Sequence, residues 1–399
     1  MGDAGPTGGD DPYEGIPFLG DLARMLQSSG SVSWDAARQL ATSVANRGEA
    51  EANPDPIERI RFEELARVAE LQVADVTGLA TSITGRAVTV LPVTRGEWAR
   101  RTLDHYQPLF ERLSSSLSGP ATAPDAAPTD DEPEDPTAAL LGGLFSMVGP
   151  LFLGMQAGSM VGHLAGRALG QYDLPLPRPR SDELLVVPDN ITAFRDEWSL
   201  AEDDVRLWVC LTEITNHAVL GLPHVRERLE GLVLDYASLF RPDPGALEER
   251  LGAVDLSDQA SLAAAFNDPE ALLGVIRSPE QQALLPQLDA LVAVIVGYVD
   301  HVLDATSTAL LGSYGQLSEA LRRRRVEAGS ADRFVERMLG LELAQAQYER
   351  ETSFVEGVVE RSGAAGLSRL WHGRRELPTP AEVDAPGLWL ARIDIPEAD

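Results

Sequence analysis

The chain contains no lysine at all; its 33 basic residues are all arginine, against 62 aspartates and glutamates, for a formal net charge of -29 over 399 residues. A surface this acidic repels phosphate backbones and anionic headgroups, so nucleic acid is not an expected partner. Cysteine is nearly absent too. Cys210 stands alone, which excludes an internal disulfide and a cysteine-based zinc knuckle. Within the apolar stretch around it, Cys210 reads as a buried, inert thiol. Aromatics make up only 6% while hydrophobic residues reach 44%, so the core must be built from Leu, Val and Ala. That composition favours helices over aromatic-rich strands. There is no Gly-x-Gly-x-x-Gly, no P-loop and no Gly-x-Ser-x-Gly. Residues 1–14 are acidic and Gly-rich, without a basic segment followed by an apolar one, so they read as a disordered tail and not as a secretory signal. A cytoplasmic location is the expectation.

The periodicity predicts a mainly α protein with a few short strands. An N-terminal helical region spans 15–117, with apolar residues at helical spacing from Phe18 to Leu26. Helices are expected over Trp34 to Ala45, with Ser33 as N-cap, over Ile57 to Leu79, and over Trp98 to Leu117. Val88 to Val93 reads as a strand. Residues 118–137, rich in Pro, Ala, Thr and Asp, form an acidic linker that cannot bury enough apolar surface to order itself. A core unit then runs over 138–395. It opens with Thr137 to Val161, which holds no charged residue and includes Gly154-xxx-Gly158. This stretch could span a bilayer by length. Tightly packed core helices are the preferred reading, since the run is broken at Gly149-Pro150 and lacks a basic flank. A membrane partner is therefore not expected. A strand at Leu184 to Val187 follows. The motif helix comes next, over 200–220, with Ser199 and Glu202 as a capping box. Further helices are expected at His224 to Leu239, Pro286 to Leu311 and Ala331 to Val359. The run Arg322 to Arg325 reads as a solvated helix face pairing with carboxylates.

The motif helix reads Leu207-Trp208-Val209-Cys210-Leu211-Thr212-Glu213-Ile214-Thr215-Asn216-His217-Ala218-Val219. Zinc-binding helices of the His-Glu-x-x-His type place two imidazoles at i and i+4 on one face, with the intervening Glu beside the metal-bound water. Here Glu213 falls in the Glu slot, and Thr212 and Asn216 fall in the two His slots. Taken with Leu222-Pro223-His224-Val225-Arg226 downstream, the Gly-rich run 141–170 ending in Gln171-Tyr172-Asp173, Val187-Pro188-Asp189-Asn190-Ile191, and Met338-Leu339-Gly340-Leu341-Glu342 with Gln347-Tyr348-Glu349, the sequence resembles the actinobacterial-type zincin-like metallopeptidases, formerly a domain of unknown function. The resemblance covers roughly residues 17–395. It implies a helical zincin-like scaffold and a third ligand, a Glu, at the position of Val296 in Val296-Gly297-Tyr298-Val299-Asp300-His301-Val302.

On that resemblance all three ligand slots have changed, to Thr212, Asn216 and Val296. A hydroxyl and an amide are poor zinc donors beside imidazole, and Val has no donor. The expectation is a catalytically inactive relative with no bound cofactor, in which Glu213 is a relic general base in a half-buried, hydrogen-bonded or pKa-raised state. Such a chain would serve as a binding or regulatory scaffold for a peptide or protein partner. The competing reading is an active zinc-dependent hydrolase with a shifted site. Glu213 and His217 are themselves i and i+4, and His301 or Asp300 could complete a ligand set. Singly, His217 and His301 read as packing or supporting histidines and His224 as exposed. His105, His163 and His372 show no partner pattern.

Overall fold

The computed structural model describes residues 32–117, 154–240, 278–326, 335–336, 338–341 and 345–395. The tail, the expected helical spacing from Phe18 to Leu26, the 118–137 linker and the uncharged run up to residue 153 lie outside these. Helix α1 (Trp34–Ala45) and helix α2 (Pro56–Thr77) come first. Strand β1 (Thr89–Pro92) leads into helix α3 (Arg95–Leu117). Helical residues 154–165, here α4, precede strand β2 (Glu183–Val186) and helix α5 (Pro188–Trp198). Next come α6 (Glu202–Leu220), α7 (Pro223–Ser238), the long α8 (Pro279–Leu310) and α9 (Tyr314–Val326). The C-terminal part holds α10 (Gln345–Ser362), α11 (Ala364–Leu367), α12 (Pro380–Asp384) and α13 (Pro386–Ile393). The mainly helical expectation holds. β1 and β2 pair in parallel, Thr89 opposite Glu183 and Pro92 opposite Val186.

One continuous apolar core runs from Val32 to Ile393, and α6 sits in its middle. Fourteen of the 19 residues of α6 are buried, five of them polar or charged, so this helix needs neighbours all round and partners for its polar side chains. α2, α8 and α7 supply the neighbours. Glu202, Asp203 and Asp204 crowd its first turn, where the helix dipole favours negative charge. Two polar ties fix its start. Arg206 donates to Glu58 of α2 at 2.9 and 3.0 Å, and Asp204 accepts from Ser313 at the head of α9.

The glycines of the uncharged run that are described do what the packing reading expects. A Cβ on Gly158 would lie 2.4 Å from the carbonyl oxygen of Ala37, and one on Gly162 would lie 2.7 Å from that of Ala41. α4 thus crosses α1 backbone to backbone. Among the described residues, α8 is the helix long and apolar enough to cross a membrane, and most of its apolar stretch is buried in this core.

Some expected boundaries move. Ser199 does not cap α6. It closes α5 in the left-handed conformation, with φ 51°, and the N-cap of α6 is Ala201 without a side-chain bond. Ser33 sits at the N-cap of α1 but makes no capping hydrogen bond. α5 is not among the expected helices because Pro188, which in sequence marks the end of a strand, opens a helix in its first turn. α8 begins seven residues before the expected Pro286, at a capping box between Ser278 and Gln281. The expected helix Ala331 to Val359 is interrupted by a turn at Leu339-Gly340, where Gly340 has φ 70°.

Candidate functional site

The motif helix places Glu213 against the segment 170–172, and β2 holds that segment still. Gly170 bridges to Val186, and the amide of Val187 donates to the carbonyl of Leu169 at 3.0 Å. From α3, the Trp98 indole donates to the Gly170 carbonyl at 2.9 Å. The two following amides point at the motif glutamate. Gln171 N–H donates to Glu213 at 2.8 Å, and Tyr172 N–H reaches both carboxyl oxygens at 3.1 and 3.2 Å. Contact with Gly170 is so close that a Cβ there would lie 2.2 Å from Glu213 Oε1. Only 3% of Glu213 is exposed. Burial pushes its carboxyl up to about 8, against the pull of the two amides and of Arg178. Its carboxyl faces two backbone amides and not solvent.

Around Glu213 lies a buried polar network in which Arg226 Nε and the Tyr106 hydroxyl have no hydrogen-bond partner among the described residues. Arg178, itself buried, donates twice to the Gln171 carbonyl at 2.9 and 2.7 Å and to Thr102 at 3.0 Å. Its guanidinium lies over the rings of Trp98 and Tyr106, a placement that lowers the cost of burying a cation. Arg226 in turn donates to the Arg178 carbonyl. On the other side, the Tyr172 hydroxyl meets His217 Nδ1 at 3.0 Å, and His217 Nε2 meets Asp182 at 3.1 Å. Asp182 also accepts from the amides of Ile83 and Thr84 and from the hydroxyls of Ser82 and Thr84. Burial alone would raise the Asp182 carboxyl, but the hydrogen bonds from Thr84, His217 and the two amides hold it well below the usual range. Burial keeps His217 below its ordinary value despite Asp182. The arrangement that satisfies every atom is a neutral imidazole donating from Nε2 to the carboxylate and accepting at Nδ1 from the tyrosine.

The positions assigned to metal ligands by resemblance are also occupied with local bonds. Thr212, half-buried, donates to the Trp208 carbonyl at 2.9 Å, and Asn216, buried, donates to the Thr212 carbonyl at 2.9 Å. Both side chains bond back along their own helix. Val296 packs half-buried on α8 against the core. The alternative ligands are dispersed among other partners. His217 has both nitrogens engaged, Asp300 is paired with Arg325 at 2.8 and 2.9 Å, and His301 is half-buried, with burial lowering its pKa against the charge of Asp304. Among the described residues no group of three or more His, Cys, Asp or Glu side chains is placed to hold a metal ion. The donors at the three motif positions do not fit zinc: one hydroxyl, one amide and one hydrocarbon.

Several residues here escaped the sequence reading. Arg178 and Asp182 sit in a Pro-rich loop with no period to mark them. Glu351 on α10 is 3% exposed, and burial together with Asp300 pushes its carboxyl up to about 8 while Arg325 opposes. Its backbone abuts Gly297, where a Cβ would lie 2.9 Å from the Glu351 carbonyl oxygen, so α10 crosses α8 next to the Val296 position. The arginine run divides its work. Arg322 and Arg323 pair with Glu319 as a solvated face, while Arg324 turns inward to Asp173 and the Arg167 carbonyl. His224 is half-buried, not exposed, and its Nε2 is buried with no partner. His105 meets the Pro177 carbonyl at 2.8 Å. Cys210 is buried, as expected, and burial raises its thiol.

The mainly helical scaffold built around α6 has counterparts among known proteins. The sequence profile described as zincin-like metallopeptidase matches residues 32–390, and the chain belongs to that family. A crystal structure from Chloroflexus aurantiacus, described as that of a candidate hydrolase with a novel fold, is similar at a TM-score of 0.62 and 25% identity. That likeness covers 92% of this chain and all of the other. No match is found among curated proteins.

Proposed function

We propose that this chain is a catalytically inactive member of the zincin-like metallopeptidase family, retained as a binding or regulatory scaffold for a peptide or protein partner. The observation that carries the reading is the state of α6. Thr212 and Asn216 spend their polar atoms on their own helix, and Glu213 spends its carboxyl on the amides of Gln171 and Tyr172. A metallopeptidase glutamate must instead reach a metal-bound water and take its proton. The His217 and His301 alternative would require His217 to give up at least one of its two partners, for example the Tyr172 hydroxyl at Nδ1, leaving that buried group unpaired.

Peptide hydrolysis by the full chain, assayed with zinc added, tests the reading. Turnover no faster than that of Glu213→Gln supports it. Zinc-dependent turnover that Glu213→Gln abolishes would overturn it in favour of an atypical active site.

A further inference from the structure

Helix α2 is apolar on two opposite sides. Phe62, Ala66, Ala69, Val73 and Thr77 face inward and are buried. On the outer side Ile57, Ile60, Val68 and Leu71 are 44%, 53%, 41% and 72% exposed. They are four of the eight large apolar residues left exposed among the described residues. A stripe this concentrated on one helix marks a contact surface, not scatter. Its spacing is that of a heptad seam: Ile57, Glu64 and Leu71 fall seven apart, and Ile60, Arg67 and Ala74 fall seven apart between them.

The two charges in the middle of this seam identify the occupant. Elsewhere on α2, Arg59 pairs with Glu63, Arg61 with Glu58 and Glu202, and Glu70 accepts from Thr81 and Val88. Glu64 and Arg67 are exposed and have no ion pair or hydrogen bond among the described residues. When a second α2 is laid antiparallel, the seam matches itself. Ile60 meets Leu71 of the second copy, Ile57 meets Ala74, and Glu64 meets Arg67, each contact occurring twice by two-fold symmetry. The charges that are idle in one chain are complementary in two.

We infer that the outer face of α2 is a homodimer interface, two copies of this helix packing antiparallel about the Glu64–Arg67 pair. The seam from Ile57 to Ala74 is about 26 Å long. One helix per copy gives a contact at the small end of specific interfaces, so the dimer forms in the micromolar range. The inference stands whether or not the chain binds zinc.

Sedimentation velocity of the full chain, over roughly 1–200 µM, tests it. The parent is expected to shift from 42.9 kDa toward twice that mass as concentration rises. Leu71→Glu should stay at the single-chain mass throughout with an unchanged circular dichroism spectrum. Ile60→Gln, a milder change, should weaken the dimer without abolishing folding. Glu64→Arg and Arg67→Glu should each weaken self-association by roughly tenfold or more through like charges. Mixed one to one, the two single variants should dimerise as well as the parent does. A parent that stays monomeric, a dimer that survives Leu71→Glu, or a mixture no tighter than its components would overturn the inference.

Discussion

At Gly170 one methyl group decides whether Glu213 keeps its seat. Because the added Cβ would sit 2.2 Å from the carboxyl oxygen, and because β2 and Trp98 hold the 170 backbone in place, the glutamate must be the one to move. Gly170→Ala should therefore cost about 1–3 kcal/mol in chemical denaturation, the range for overpacking a buried site. Asp182 is the second such residue. It takes five donors from Ser82, Ile83, Thr84 and His217, so Asp182→Asn turns an amide group toward at least one N–H or O–H. A loss of about 1–3 kcal/mol is expected, with weaker hydrogen-exchange protection at Ile83 and Thr84. At this scale the sequence was legible only where residues share one helix. Glu213 and His217 stand out by their i, i+4 spacing in a motif. Their partners Tyr172, Arg178 and Asp182 do not, because each is 30 to 45 positions away in a loop whose geometry only the fold supplies.

Among the elements, α6 and α2 were readable because apolar residues recur at helical spacing over four turns or more. α5 and the start of α8 were not, since proline both ends strands and opens helices. At α8 the competing signals were Pro286 and the Ser278-Pro279-Glu280-Gln281 box, and the box governs: Ser278 Oγ accepts from Gln281 N at 3.1 Å, and the Gln281 side chain accepts from Ser278 N at 3.0 Å. Ser278→Ala should cost about 1 kcal/mol, read as a lowered denaturation midpoint without a change in slope. The parallel pair β1–β2 looks minor, yet it is the element that aims the Gln171 and Tyr172 amides. A strand of four residues far from its partner in sequence gives no register from composition alone.

For the whole molecule, two sets of buried groups pull stability in opposite directions with pH. Glu213 and Glu351 are held up at about 8, so between their unfolded value near 4.5 and pH 8 the folded chain binds protons that the unfolded chain has released, and stability falls as pH rises through that window. His105, lowered to about 4 by burial and Arg178, and His217, lowered by burial, act the other way: below their unfolded value of 6.5 the unfolded chain gains protons first, and stability falls as pH drops. Thermal stability should thus decline from about pH 6.5 to pH 8, and Glu351→Gln should raise the midpoint at pH 8 while changing it little at pH 5. Scanning fluorimetry across pH 4.5–8.5 checks both, roughly the window those shifts define. The central claim is that the family scaffold persists here while the donors at its metal positions have gone. Zinc content of the purified chain by elemental mass spectrometry, beside a Thr212→His/Asn216→His/Val296→Glu variant, tests that claim most directly. The account predicts no stoichiometric zinc in the parent and zinc regained in the triple variant. Zinc near one per chain in the parent would contradict it.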